Sequence, residues 1–223
     1  MIKAITWFKR TPGMELGDFR RYWREEHPKA VLQLPGIRKY VQNHVHDSAY
    51  RSGEPFADGV AETWWDDLGA LMAHHGTPAL DALMIDEQQF IDPDHRDQLV
   101  AEEVVLRPVG IPVDGLKQIV FVKRRPDLSI DEGLAYWRDV HGPMALDAPG
   151  LGRYVQNHAL RHRYVEGRSE PTYDGATMAW FADVEAARQA GSSPVMAAVA
   201  DDQRNFMDGS PVVMLSVVEH HII

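Results

Sequence analysis

The chain of 223 residues contains no cysteine. Disulfides, thiolate nucleophiles and Cys-ligated zinc or iron–sulfur centres are therefore excluded. It has no apolar run of the length a membrane span requires. Its first residues read directly into a strand pattern with no apolar signal core, so the expected location is the cytoplasm. Basic charge is scarce: 23 Lys and Arg stand against 33 Asp and Glu, a net charge of −10. Nucleic acid and anionic membrane both need a basic face, and neither is expected as a partner. No glycine-rich phosphate loop and no Gly-x-Ser-x-Gly elbow occurs, which leaves nucleotide binding and serine-hydrolase chemistry without support. With 44% hydrophobic and 25% charged residues, the composition is that of a soluble globular protein.

What the sequence does contain is one pattern stated twice. Tyr22-Trp23-Arg24 with His27 returns as Tyr136-Trp137-Arg138 with His141, a displacement of 136 − 22 = 114. At the same displacement Pro35-Gly36 becomes Pro149-Gly150, and Tyr40-Val41-Gln42-Asn43-His44 becomes Tyr154-Val155-Gln156-Asn157-His158. Asp58-Gly59 and Trp64 match Asp174-Gly175 and Trp180 at 174 − 58 = 116, so one loop has gained two residues. A period this long is a small domain, not a solenoid unit. Two domains are expected, 1–108 and 116–223, joined by 109–115 in a stretch punctuated by Pro108, Gly110, Pro112 and Gly115.

Each half reads β-α-β-β-α-β. In the first, 2–9 is a strand, and Leu16, Phe19 and Trp23 recur at helical spacing up to His27. Pro35-Gly36 breaks the chain before a second strand over 37–46, and a third ends at Trp64-Trp65. Thr77-Pro78 and Ser193-Pro194 each pair a capping residue with proline at the first helical position. The last strands are expected over 99–106 and 213–222. Ser129 to Glu132 spells a capping box, whereas the first copy has Glu15 in place of that serine. This order predicts an α+β fold of two ferredoxin-like repeats, each an antiparallel sheet with helices on one face. The bare faces would pack sheet to sheet within the chain.

Tyr-Trp-Arg-x-x-His, then Pro-Gly-x-x-x-Tyr-Val-Gln-Asn-His, then Asp-Gly and Trp-Trp or Trp-Phe, together resemble the EthD domain of the dimeric α+β barrel superfamily. The likeness covers nearly the whole chain in two copies. It implies ferredoxin-like repeats joined as an intramolecular barrel. Fungal relatives resemble decarboxylases or dehydratases of aromatic polyketides. Wider barrel relatives include cofactor-free monooxygenases, lactone isomerases, polyketide cyclases and haem peroxidases, so the fold leaves the activity open. The family commonly shows His-x-Pro-Leu or similar after the first helix. The second half keeps His141-Gly142-Pro143-Met144, while the first reads His27-Pro28-Lys29-Ala30, which puts its site in doubt.

His27 follows Trp23 and Phe19 at i−4 and i−8 and so shares the apolar, sheet-facing stripe of its helix; His141 repeats it. Two readings stand: a general base toward a ligand held between helix and sheet, or a helix C-cap. Tyr40, Gln42 and His44, and likewise Tyr154, Gln156 and His158, share one strand face, with Asn43 and Asn157 on the other. They read as a row that holds a carbonyl or phenol, with tyrosine as acid or oxyanion donor, or as a buried network that fixes the pairing of the halves. Periodicity does not choose the face. Trp23, Trp64, Trp137 and Trp180, with Trp65, Phe181, Met72, Met84, Met178 and Met196, are an apolar pocket wall or plain core.

No metal is expected: His44-x-His46, His74-His75 and His220-His221 do not recur in the other half, and no His-Glu-x-x-His pattern occurs. The Gly-x-x-Asp-Gly motif of the haem-binding dye-decolourising peroxidases is broken by Pro55 and Pro171. The leading expectation is a cofactor-independent lyase or isomerase that decarboxylates, dehydrates or cyclises a small hydrophobic carbonyl or phenolic compound, in a degradative or secondary-metabolic pathway. His141 and His27 would move the proton, Tyr154 and Tyr40 would act as acid or oxyanion donor, and Asn157, Asn43, Gln156 and Gln42 would bind. Two other readings are a non-catalytic binding or accessory protein and a cofactor-free monooxygenase. A homodimer of the fused repeats is left open.

Overall fold

The computed structural model describes residues 1–110, 115–165 and 169–223. Pro112 of the expected join lies outside the described residues. Contacts divide the chain into two compact units, Met1–Val100 with Glu219–Ile223, and Ala101–Val218.

The first unit contains β1 (Ile2–Arg10), α1 (Leu16–Glu25), the short α2 (Pro28–Val31), β2 (Lys39–Val45), β3 (Gly59–Trp65), α3 (Leu68–Met72), α4 (Pro78–Glu87) and the start of β4 (Ile91–Arg107). The second contains β5 (Leu116–Val122), α5 (Ile130–Tyr136), a π-helical turn Trp137–His141, α6 (Gly142–Ala145), β6 (Leu151–Ala159), β7 (Gly175–Phe181), α7 (Val184–Gly191), α8 (Pro194–Asp202) and most of β8 (Met214–His221). The hydrogen-bonded order is β4-β1-β3-β2-β8 in the first unit and β8-β5-β7-β6-β4 in the second. Strands β4 and β8 are divided between the units, so the order of the eight strands closes on itself.

Local chemistry explains most of these elements. Thr77 and Ser193 cap α4 and α8, and Ser129 and Glu132 close the expected capping box on α5. Glu15 caps α1 with no side-chain bond. Strand β4 is longer than expected: it starts at Ile91, and six consecutive exposed residues, 93–98, hide its alternation. Pairing with β1 supplies the strand there, where local sequence gives no signal.

The two Asp-Gly pairs are structural clamps. Asp58 is fully buried and accepts hydrogen bonds from the Arg10 amide (2.8 Å), Arg10 Nη1 (2.6 Å) and Tyr50 Oη (2.7 Å). Asp174 repeats them with Arg124 and Tyr164. The following glycine makes room for an indole: a Cβ on Gly59 would lie 2.5 Å from the Trp23 ring, and one on Gly175 2.4 Å from the Trp137 ring.

Candidate active site

Trp23 and Trp137 anchor the helical layer on the sheet of each unit. In the second, Gln156 Nε2 donates to the Trp137 carbonyl at 2.8 Å, and His158 Nε2 lies 2.9 Å from Gln156 Oε1. The amide oxygen only accepts, so His158 carries its proton on Nε2. Its ring stacks on the Trp137 indole at 4.7 Å. Burial, with help from Arg138 and Arg161, pulls its pKa down to about 4. The first unit repeats this with Gln42, Trp23 and His44, where burial, His220 and nearby arginines lower the pKa to about 3. The tyrosine–glutamine–histidine row thus faces the helices.

His141 lies in the turn between α5 and α6, and π-helical turns recur at functional positions. Standing before α2 and α6, neither His27 nor His141 makes a side-chain N-cap bond. Each ring instead meets a half-buried carboxylate that sequence reasoning passed over. Nδ1 of His141 is 2.9 Å from Asp202 Oδ2, and Nδ1 of His27 is 2.6 Å from Asp86 Oδ2. Tyrosine completes each set: Tyr136 Oη donates to Asp202 at 2.7 Å and Tyr22 Oη to Asp86 at 2.8 Å. Asn205 Nδ2 adds a further bond to Asp202 at 2.8 Å. Asp86 and Asp202 are related by 202 − 86 = 116, the displacement of the second half of the repeat, and that was the available signal.

These contacts set the charges. Burial pulls the His141 pKa below the ordinary imidazole value, and Asp202 counters only part of that. Burial would raise Asp202, but the bonds from Tyr136, Asn205 and His141 outweigh it and hold the carboxyl below its usual range. Asp86 is lowered in the same way by His27 and Tyr22. At neutral pH His141 is therefore neutral, with its proton on Nδ1 toward Asp202 and a lone pair on Nε2.

His141 lines a cavity of about 90 Å³ in the second unit, together with Trp137, Tyr154, Ala145, Ala148, Val199, Phe181, Met196 and Phe206. The lining is apolar apart from a few groups. Burial raises the Tyr154 pKa against hydrogen bonds from Thr177 and Gln156, so the side chain stays a hydroxyl. In the first unit Tyr40 Oη accepts from Trp23 Nε1 and Gln42 Nε2, both at 3.1 Å, and burial likewise raises its pKa.

The cavity brings together His141, Tyr154 and Trp137 of the expected site. Gln156 stands behind them, held by Trp137 and His158. Strand alternation sends four others to the opposite face of the sheet. There Asn43 donates to the Val60 carbonyl and to Glu62, and Asn157 to the Ala176 carbonyl. Trp64 lies against Lys3 and Lys39, and Trp180 against Lys117 and Arg153. Phe181 and Met196 line the cavity, whereas Met72 and Met84 are exposed. Among the described residues, no group of three His, Asp or Glu side chains is placed to hold a metal.

The EthD domain matches this chain twice, over residues 11–94 and 125–210. The chain belongs to that family, as a tandem EthD-domain protein of the dimeric α+β barrel superfamily. No curated protein matches it in sequence. Among solved structures it is similar to an anthrone oxidase-like protein, at 14% identity and a TM-score of 0.65, covering 99% of this chain and 92% of that one. It is also similar to a putative monooxygenase from Fusobacterium nucleatum, at 8% identity and a TM-score of 0.61, covering 98% and 91%. A putative monooxygenase from Lactobacillus acidophilus gives 10% identity and a TM-score of 0.56, covering 98% and 93%. At these identities the likeness is one of fold.

Proposed function

We propose that the second unit transfers a proton on a small hydrophobic carbonyl or phenolic compound, without a cofactor, in lyase or isomerase chemistry that passes through an enol or enolate. The observation that carries this reading is a neutral histidine in an apolar cavity, oriented by a half-buried carboxylate and accompanied by a neutral tyrosine. Asp202 holds the Nδ1 proton and fixes the tautomer. Nε2 of His141 then takes a proton from carbon next to the carbonyl, or from a phenol. Tyr154 donates its hydroxyl to the oxygen on which charge develops. Asp202 stabilises the imidazolium, which returns the proton to carbon or to a leaving group. A positioned base of this kind contributes a factor on the order of 10²–10⁴ in rate.

We also read each repeat as ferredoxin-like, on the order of its elements. A second reading uses the same first step: a phenol deprotonated by His141 is electron-rich, and a cofactor-free monooxygenase would pass its electrons to oxygen. Turnover of a panel of small ketones, hydroxyketones and phenols, measured with and without oxygen, tests both. The lyase or isomerase reading expects conversion that is independent of oxygen and lost in His141→Gln at unchanged melting temperature. Conversion only in oxygen favours the monooxygenase. Ligand binding with no turnover of any compound leaves a binding or accessory protein.

A further inference from the structure

The two units carry the same tryptophan–tyrosine pair and use it differently. In the first, the indole N–H of Trp23 donates to Tyr40 Oη at 3.1 Å. In the second, Nε1 of Trp137 is buried and has no hydrogen-bond partner among the described residues. Trp137 as a whole is 1% exposed and lines the cavity with His141 and Tyr154. A buried donor left unmade is destabilising, so one on a side chain that lines a cavity calls for an acceptor from outside.

The repeat differs in side-chain size around this cavity. Ala145, Ala148 and Val199 line it. Their counterparts at the same displacements are Val31, Leu34 and Leu83, all buried. Val122 is likewise replaced by Phe8, which packs edge-on to Trp23 at 5.0 Å. Gln118 and Thr177 run the other way, to Ala4 and Ala61.

We infer that Trp137 Nε1–H is the hydrogen-bond donor to a carbonyl or phenolic oxygen of the ligand, and that the chain binds one such ligand, in the second unit. In the first unit Tyr40 Oη occupies the place of that oxygen. The assignment rests on the functional reading only for the class of ligand. Binding by Trp137 does not require His141 to transfer a proton.

The test follows the six indole N–H signals of the full chain by ¹H–¹⁵N NMR, with Trp23→Phe and Trp137→Phe supplying the assignments. Cyclopentanone is the probe, and cyclopentane is the same shape without the acceptor. The expected result is a downfield shift of the Trp137 signal with cyclopentanone and none with cyclopentane, the Trp23 signal standing still. Trp137→Phe should weaken cyclopentanone about 3- to 10-fold more than it changes cyclopentane binding, the range of one net hydrogen bond. A Trp23 shift equal to that of Trp137, no shift of either signal, or undiminished cyclopentanone binding by Trp137→Phe would overturn the inference. His141→Gln separates it from the catalytic reading: that variant should keep the Trp137 shift even where turnover is lost.

Discussion

Asp202 Oδ2 stands 2.9 Å from Nδ1 of His141 and fixes which nitrogen of the ring is free. Asp202→Asn removes the charge that supports the imidazolium, and kcat should fall roughly 10²-fold or more. Asp202 also raises the His141 pKa against burial. The acid limb of the kcat/KM profile should therefore move to lower pH in the variant, a change that simple loss of packing would not produce.

His158 and His44 make the fold acid-sensitive. Their folded pKa values, about 4 and about 3, lie below the unfolded value of ~6.5. The unfolded chain therefore binds protons that the native state refuses. The stability they contribute is full above pH ~6.5 and is lost as pH falls toward the folded values, by up to ~1.4 kcal/mol per pH unit for each ring. Urea denaturation between pH 7 and 4.5 should show that slope. His158→Gln, which keeps a donor to Gln156, should reduce it by about half.

Gly175→Ala should destabilise by roughly 1–3 kcal/mol, the usual cost of overpacking. The added methyl would meet both the Trp137 ring and the Asn157 carbonyl at 2.4 Å. Gly191→Ala is the control. It lies in α7 with nothing within 4 Å, and thermal melts should find it neutral or slightly stabilised.

Asp174→Ala leaves the Arg124 amide and the Tyr164 hydroxyl without their acceptor and Arg124 beside an empty buried site. Breaking one side of a buried ion pair costs roughly 3–5 kcal/mol. Arg124 keeps Glu170 at 2.8 Å, which places the expected loss toward the lower end in chemical denaturation.

The duplication and the family were legible because whole blocks, such as 40–44 and 154–158, recur unchanged. His27 and His141 were legible from their place on an apolar stripe. Asp86 and Asp202 were not, because helices α4 and α8 keep only the scattered matches Pro78/Pro194, Ala82/Ala198 and Asp86/Asp202 among diverged neighbours. Period-2 alternation separates Gln156 from Asn157 but does not say which of them meets the helices. That choice rests on Trp137 and the elements packed over it. The cavity of the second unit is lined by Ala145, Ala148 and Val199, unremarkable residues until tertiary packing brings them together.

Solvent deuterium exchange tests the central claim most directly, because it detects enolisation whatever product follows. Small ketones incubated with the protein in D₂O and followed by ¹H NMR should lose the protons next to the carbonyl faster than in buffer. His141→Gln should exchange at the buffer rate while melting at the wild-type temperature. Exchange by that variant as fast as by the wild type, or none by the wild type with ketones that bind the cavity, would contradict the account.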